Sequence, residues 1–160
     1  MDPIKIKHNT AGDSRTATEL PTITEFHDAN VDHKTDVKAL IKRFCDLLKE
    51  SSLNHDWSKT TEPYKSLFYR ELCIAIEGYR PFEEGEWYNQ HCNELERHHL
   101  NVHCPEDVNL FDVIEMICDC VAAGMARTGD VYPVEISPEI LTRAVNNTVR
   151  LLKNEIIVEE

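Results

Sequence analysis

The sequence predicts an all-α fold, a bundle of five to six helices behind a polar N-terminal arm. Three observations predict it. Apolar residues recur at three- and four-residue steps through most of the chain. Residues that start and stop helices stand where those runs begin and end. No internal repeat or low-complexity linker divides the runs, so the 160 residues read as one domain with an ordinary core.

Residues 1–28 are polar, with a short extended piece at Leu20-Pro21-Thr22-Ile23-Thr24, and read as the arm; residues 29–160 form the helical domain. The first helix is expected from Asn30 to Glu50, with Val37, Leu40, Ile41, Phe44, Leu47 and Leu48 inward. His33 lies four residues before Val37, which puts it on the same inward stripe. Ser51-Ser52-Leu53-Asn54 ends that helix, and His55-Asp56 follows at once. Thr60-Thr61-Glu62-Pro63 opens the next, to about Gly78, with proline in its first turn. After a loop at Arg80–Gly85, a helix from Glu86 to His99 carries His91, Leu95, His98 and His99 on one face. Asn101 to Asp107 is a loop. Leu110 to Arg127 makes a strong helix, with Leu110, Val113, Ile114, Ile117, Val121 and Met125 as its stripe and Gly129 as its stop. Ser137-Pro138 opens the last helix, to about Glu155, with Ile140, Leu141, Val145, Val149 and Leu152 inward.

Composition narrows the function. A net charge of −12 argues against binding long nucleic acid, which wants a basic face. No apolar run reaches the length of a membrane span and the N-terminus lacks a signal-peptide stretch, so a cytoplasmic protein without a membrane partner is expected. The six cysteines contain no CxxC pair and read as reduced thiols, with Cys45, Cys73 and Cys118 as small hydrophobes in apolar stretches.

The chemistry rests on an ordered string: His33, His55-Asp56, His91, His98-His99, Asp119. Neutral imidazole suits Mn, Fe, Co, Ni and Zn, and carboxylate adds hard-oxygen character that also leaves Mg open. A catalytic metal takes three or four protein ligands plus water. Seven candidates are too many for one closed site and suit one or two divalent ions with a bridging carboxylate. A divalent ion lowers the pKa of bound water enough to supply hydroxide near neutral pH. Attack by that hydroxide also needs cations for the negative charge that develops on substrate oxygens. Lys59, four residues after His55, is the first candidate for that, with Arg97 and Arg127 next. Glu115, one turn before Asp119, is a candidate acid/base or an orienting partner for a ligand histidine, as are Glu62 and Asp112. Trp57, Tyr64 and Trp87 belong to the core or stack on a base. His27-Asp28 is a second His-Asp word in the arm and reads as a decoy.

Over residues 30 to 127 this string resembles the HD-domain superfamily of metal-dependent phosphohydrolases. The resemblance implies an HD-like helical bundle in which His33, His55, Asp56 and Asp119 ligate one ion. In two-metal members His91 and either His98 or His99 would join, with Asp56 bridging. The words His55-Asp56-Trp57-Ser58-Lys59 and Glu115-Met116-Ile117-Cys118-Asp119 also look like those of short HD-like proteins of phages and bacteria, which for a phage protein means the host cytoplasm. The glycine-tyrosine-proline extension of the cyclic-di-nucleotide phosphodiesterases is absent. The resemblance implies a hydrolase of a small phosphorylated substrate, with a nucleotide the natural first choice and Asp56, Lys59 and Glu115 in catalysis. Two alternatives stay open: an HD-fold di-iron oxygenase, and a non-catalytic metal-stabilised binding protein. A homo-oligomer is compatible with either.

Overall fold

Thr22 and Glu25 begin the first helix. In the computed structural model, which describes residues 2–159, Thr22 Oγ1 accepts from Glu25 N at 3.3 Å and Glu25 Oε2 accepts from Thr22 N at 2.8 Å. This reciprocal capping box satisfies two amide donors that a helix start otherwise leaves unpaired. Helix α1 therefore spans Ile23–Asn54. It starts inside the segment read as an arm and runs through Ser51-Ser52, which do not stop it.

The chain is all-α apart from one two-stranded sheet, and it divides into two compact units, Met1–Leu47 with Val149–Glu160, and Leu48–Thr148. The division falls within α1 rather than near residue 28. In the first unit β1 (Ile4–Lys7) pairs in parallel with β2 (Ile156–Glu159), in the register Ile4 with Ile156 through Lys7 with Glu159. The expected extended piece at Leu20–Thr24 is instead the approach to the α1 cap, and the alternating Ile4-Lys5-Ile6-Lys7 is the strand. Buried Arg43 pairs through Nε with Glu155, at the entrance to β2. Of the stripe that was to carry His33 inward, Leu40, Phe44, Leu47 and Leu48 are half-buried, while Val37, Ile41 and His33 itself are exposed.

The second unit holds α2 (Trp57–Thr60), α3 (Tyr64–Ile76), α4 (Glu86–Gln90), a single π turn at His91–Leu95, α5 (Leu110–Thr128) and most of α6 (Pro138–Asn154). Its core is Leu100, Val108, Val113, Met116 and Ala144, with Leu110, Cys120, Ile136 and Ile140 packed around them. The buried line of α5 is thus Val113, Met116, Cys120 and Gly124, one helical position (about 100°) away from the expected Ile117, Val121 and Met125, which are exposed. Helix α6 shows the same rotation: Ile140, Ala144 and Thr148 face in, while Leu141 and Val145 face out. Both helices are apolar on two adjoining faces, and the face carrying the small residue is the one that packs closely. Asn109 caps α5, accepting from Phe111 N at 2.8 Å, while Asp112 Oδ2 accepts from Asn109 N at 2.9 Å. Thr148 Oγ1 accepts from Leu110 N at 2.8 Å and ties the α5 start to α6.

All six cysteines are free; Cys45 and Cys118 are exposed rather than buried as small hydrophobes. No helix among the described residues is long and apolar enough to cross a membrane.

After Gly129 turns the chain at φ 78°, residues 130–132 pass directly over Gly124. A Cβ there would stand 2.5 Å from both Asp130 O and Tyr132 N. Gly124→Ala should therefore destabilise the protein by about 1–3 kcal/mol through overpacking, despite the better helix propensity of alanine. Urea denaturation followed by circular dichroism checks this, and an unchanged midpoint would contradict it.

Candidate metal centre

Asp56 sets the geometry. Helix α1 ends at Asn54, and Asp56 adopts a left-handed backbone (φ 54°, ψ 28°) before α2 begins. Aspartate tolerates this region better than most residues, yet a non-glycine residue there is held by its surroundings, and such strain gathers at functional sites. The turn brings the His55 imidazole and the Asp56 carboxylate together, with His55 Nε2 3.3 Å from Asp56 Oδ2.

The histidines of the 91–99 segment arrive by a different route from the one expected. Helix α4 gives way to the π turn at His91, and the backbone becomes extended at Glu96, so His98 and His99 lie beyond the helix instead of on one face of it. A π turn displaces its side chains from α-helical register and often marks a functional site. His91 Nε2 lies 2.8 Å from His99 Nε2 and 3.5 Å from Asp56 Oδ1, and His98 Nε2 is 3.8 Å from that same oxygen. His91 and His98 are almost wholly buried, at 2% and 1% exposure. Asp119 reaches the other side, its Oδ1 3.7 Å from His55 Nε2.

Two of the four imidazoles, His55 and His91, are oriented from behind. Ser58, fully buried, donates from Oγ to Glu96 Oε1 at 2.9 Å, and its backbone N donates to the same oxygen at 3.3 Å. The lone pairs of that hydroxyl face His91 Nδ1 at 2.8 Å, so His91 donates from Nδ1 and turns Nε2 inward as a lone pair. His55 donates from Nδ1 to Glu115 Oε1 at 3.0 Å. His98 Nδ1 stands 3.0 Å from that oxygen but off the angle of a hydrogen bond. Ser51 Oγ donates to the other Glu115 oxygen. Ser58, Glu96 and Ser51 were not singled out from the sequence. Ser58 follows the His-Asp word by two residues and Glu96 stands two before His98, and polar residues beside ligand words are the signal that would have found them.

The charges differ across the centre. Burial, aided by His99 and by the Lys59 ammonium, pulls His91 down to about 3. Burial and His98 pull His99 down to about 4. Both are neutral at physiological pH and offer lone pairs. The carboxylates of Asp119, Asp56 and Glu115 push His55 up to about 11. Burial opposes ionisation of Asp56 and Glu115, but His55 with Lys59 for the first, and His55 with His98 and Ser51 for the second, outweigh it and hold both below the usual carboxylate range. The hydrogen bond to His55 likewise lowers Asp119.

Three overlapping groups of side chains could hold an ion: Asp56 with His91, His98 and His99; His55 with Asp56 and Asp119; and His55 with His98 and Glu115. Six of the seven predicted ligands are thus brought together, including both His98 and His99. His33, exposed in α1, joins none of these groups. Lys59 is drawn in, its Nζ 2.5 Å from Asp56 Oδ2. Arg97 is not available to a substrate: it forks onto Asp112 with two 2.9 Å bonds and reaches Asp107 at 3.1 Å. Asp112 is spent on Arg97 and on the α5 cap, and Glu62 on Ser66. Arg127 is exposed in the last turn of α5, eight residues or about 12 Å of helix beyond Asp119. Trp87 is core, stacked between Phe68 at 4.2 Å and His91 at 4.3 Å, and Trp57 meets Tyr64 edge-on at 5.3 Å.

No curated protein and no solved structure matches this chain. Residues 22–155 match a family described as of unknown function, DUF5662. That match runs from the α1 cap to the end of α6 and contains every residue of the centre, and the chain belongs to this family.

Proposed function

We propose that the protein is a metal-dependent phosphohydrolase of the HD type, acting on a small phosphoester in the cytoplasm through a centre of one or two divalent ions. One observation carries the reading: buried Asp56 Oδ1 and His98 Nε2 face each other, with His91 and His99 alongside, and neither has a hydrogen-bond partner. A buried polar atom left without a partner costs about 1–3 kcal/mol, so a protein that buries several together gains by binding a cation there. The spacing supports the same reading. Ligand atoms about 2.1 Å from one ion lie roughly 3.0–3.4 Å apart, close to the 2.8–3.8 Å separations among these atoms.

His91, His98 and His99 with Asp56 Oδ1 would hold one ion, and His55 and Asp119 with Asp56 Oδ2 a second; Mn, Fe, Co, Ni or Zn suit the imidazoles best, with Mg suited to the oxygens. Bound there, a divalent ion supplies Lewis acidity and an acidified water at neutral pH. The chain does the rest. Glu115 and the Ser58–Glu96 pair engage His55 and His91 through Nδ1 and turn their Nε2 atoms toward the centre. Lys59 keeps a half-buried ammonium beside Asp56 and, on moving to a substrate, neutralises non-bridging phosphoryl oxygens. The net charge of −12 disfavours a polyanionic polymer and suits a small substrate.

Elemental analysis of the purified protein tests the reading first. One or two Mn, Co, Ni or Zn per chain, with turnover of phosphomonoesters, is the expected result. Two Fe with O2-dependent turnover would replace it with an oxygenase, and no metal after reconstitution would leave a helical binding protein. Asp56→Ala should lose metal and activity together while keeping its helical circular dichroism spectrum; full metal occupancy in that variant overturns the assignment. Lys59→Met should keep its metal content and lose about 100-fold in kcat/KM, the usual effect of removing one transition-state donor. Metal at about a hundred times its Kd should stabilise the wild type by about 2.7 kcal/mol, read as a rise in Tm that Asp56→Ala does not show.

A further inference from the structure

A cavity of about 350 Å3 opens onto the acidic side of the centre, lined by Leu48, Ser51, Ser52, His55, Ile114, Glu115, Cys118, Asp119 and Ala122. Three of those residues belong to the centre. The other walls come from the end of α1 and one face of α5, and they are apolar in effect. Ser51 Oγ is spent on Glu115, and Ser52 Oγ on Lys49 O at 2.7 Å, which leaves Leu48, Ile114, Ala122 and the Cys118 thiol facing the space. No lysine or arginine is among the lining residues. The volume is at the lower end of small-ligand pockets. A second cavity, lined by Lys59, Lys65, Thr60, Ser66, Phe68, Tyr69 and Leu72, touches the centre through Lys59 alone.

We propose that the apolar cavity holds the organic half of the substrate, which is therefore a phosphomonoester of a compact aryl or alkyl group. The inference rests on the phosphohydrolase reading and adds the substrate class to it. The phosphoryl head would lie at the inner end of the cavity beside His55 and Asp119, where the proposed ion would meet it. A second phosphate or a polyhydroxylated body would have to lie against Leu48, Ile114 and Ala122 with its hydrogen bonds to water unreplaced, at a desolvation cost. An apolar body of matching size gains from leaving water. Discrimination between substrates should follow size and apolarity at this wall.

Cys118, exposed in the wall, reports occupancy without turnover, and exposed Cys45 serves as reference. The metal-loaded wild type is alkylated with iodoacetamide in the presence of phenylphosphonate or methylphosphonate, neither of which can be hydrolysed as an ester. Labelling at each cysteine is read by peptide mass spectrometry, and metal content is measured on the same sample. Phenylphosphonate should protect Cys118 at a concentration about tenfold or more below that of methylphosphonate, leaving Cys45 unprotected. Ala122→Leu, at an exposed helix position that accepts leucine, fills the cavity and should abolish that difference. Equal protection by the two phosphonates, no protection by either in metal-loaded protein, or a difference that survives Ala122→Leu overturns the inference and leaves the metal reading standing. A protein that takes up no metal overturns both, and the metal analysis identifies that case.

Discussion

The centre depends on one constraint, the left-handed turn at Asp56. A right-handed residue there would continue α1 or send the chain elsewhere, and the two oxygens of one carboxylate would no longer face two different sets of partners. As it stands, Oδ1 looks toward His91 and His98, and Oδ2 toward His55 and Lys59. The conformation costs roughly 1–2 kcal/mol for an ordinary residue. It is maintained because α2 starts immediately and buries Ser58, whose hydroxyl and amide are both taken by Glu96. The strained residue and the buried serine thus hold each other. The turn fixes the carboxylate, and the serine fixes the imidazole that the carboxylate faces.

That coupling explains why the surrounding polar groups fall into two shells. Of the inner atoms, Asp56 Oδ1 and His98 Nε2 lack a hydrogen-bond partner, whereas His91 Nε2 meets His99 Nε2 and Asp56 Oδ2 accepts from Lys59. Behind them Glu115 accepts from His55 and Ser51, and Glu96 accepts from Ser58. A purely structural polar cluster would satisfy its innermost members first, because those suffer most from the low dielectric. Two innermost atoms left over while Glu115 and Glu96 are engaged is the pattern that supports the proposed metal reading. Aromatic packing fixes one of these rings in place: Trp87 lies flat on His91 with an interplanar angle of 20°.

Much of this was legible in the sequence, and the parts that were not share a cause. The ordered string of histidines and aspartates picked out six residues that converge, because chain order and residue chemistry survive errors in local structure. Helix positions for α3, α5 and α6 were readable from apolar spacing and from Pro63, Gly129 and Pro138, as was the all-α class. Which face packs was not readable. On α5 and α6 two adjoining faces are apolar, and the choice between them was made by Ala144 and Gly124, small residues that carry little weight in a hydrophobic pattern. His33 lies on an exposed stretch of α1, although Leu40, Phe44, Leu47 and Leu48 farther along the same stripe are half-buried. Arg97 illustrates a further limit: its partner Asp112 is fifteen residues away and looked equally free, and only the fold shows that each consumes the other. The Thr22–Glu25 capping box was in plain view and was hidden by reading a polar segment as an arm.

The two sides of Asp56 are unlike, and under the proposed reading that difference gives the centre a direction. One side is three imidazoles, with His91 and His99 kept neutral by burial; the other is His55 with two further carboxylates close by. Nitrogen-rich and oxygen-rich surroundings differ in the ions they favour and in how much positive charge they leave uncompensated. Asp119 and Glu115 would offset more of a bound ion's charge than the imidazole side would. The apolar cavity opens on the oxygen-rich side, while the lysine stands at the oxygen of Asp56 that this side shares. A phosphoryl group entering from the cavity would therefore meet His55 and the carboxylate-flanked position first, with Lys59 and the imidazole side beyond, at Asp56. Entry, anchoring and activation would each fall to a different set of residues, with one aspartate joining them.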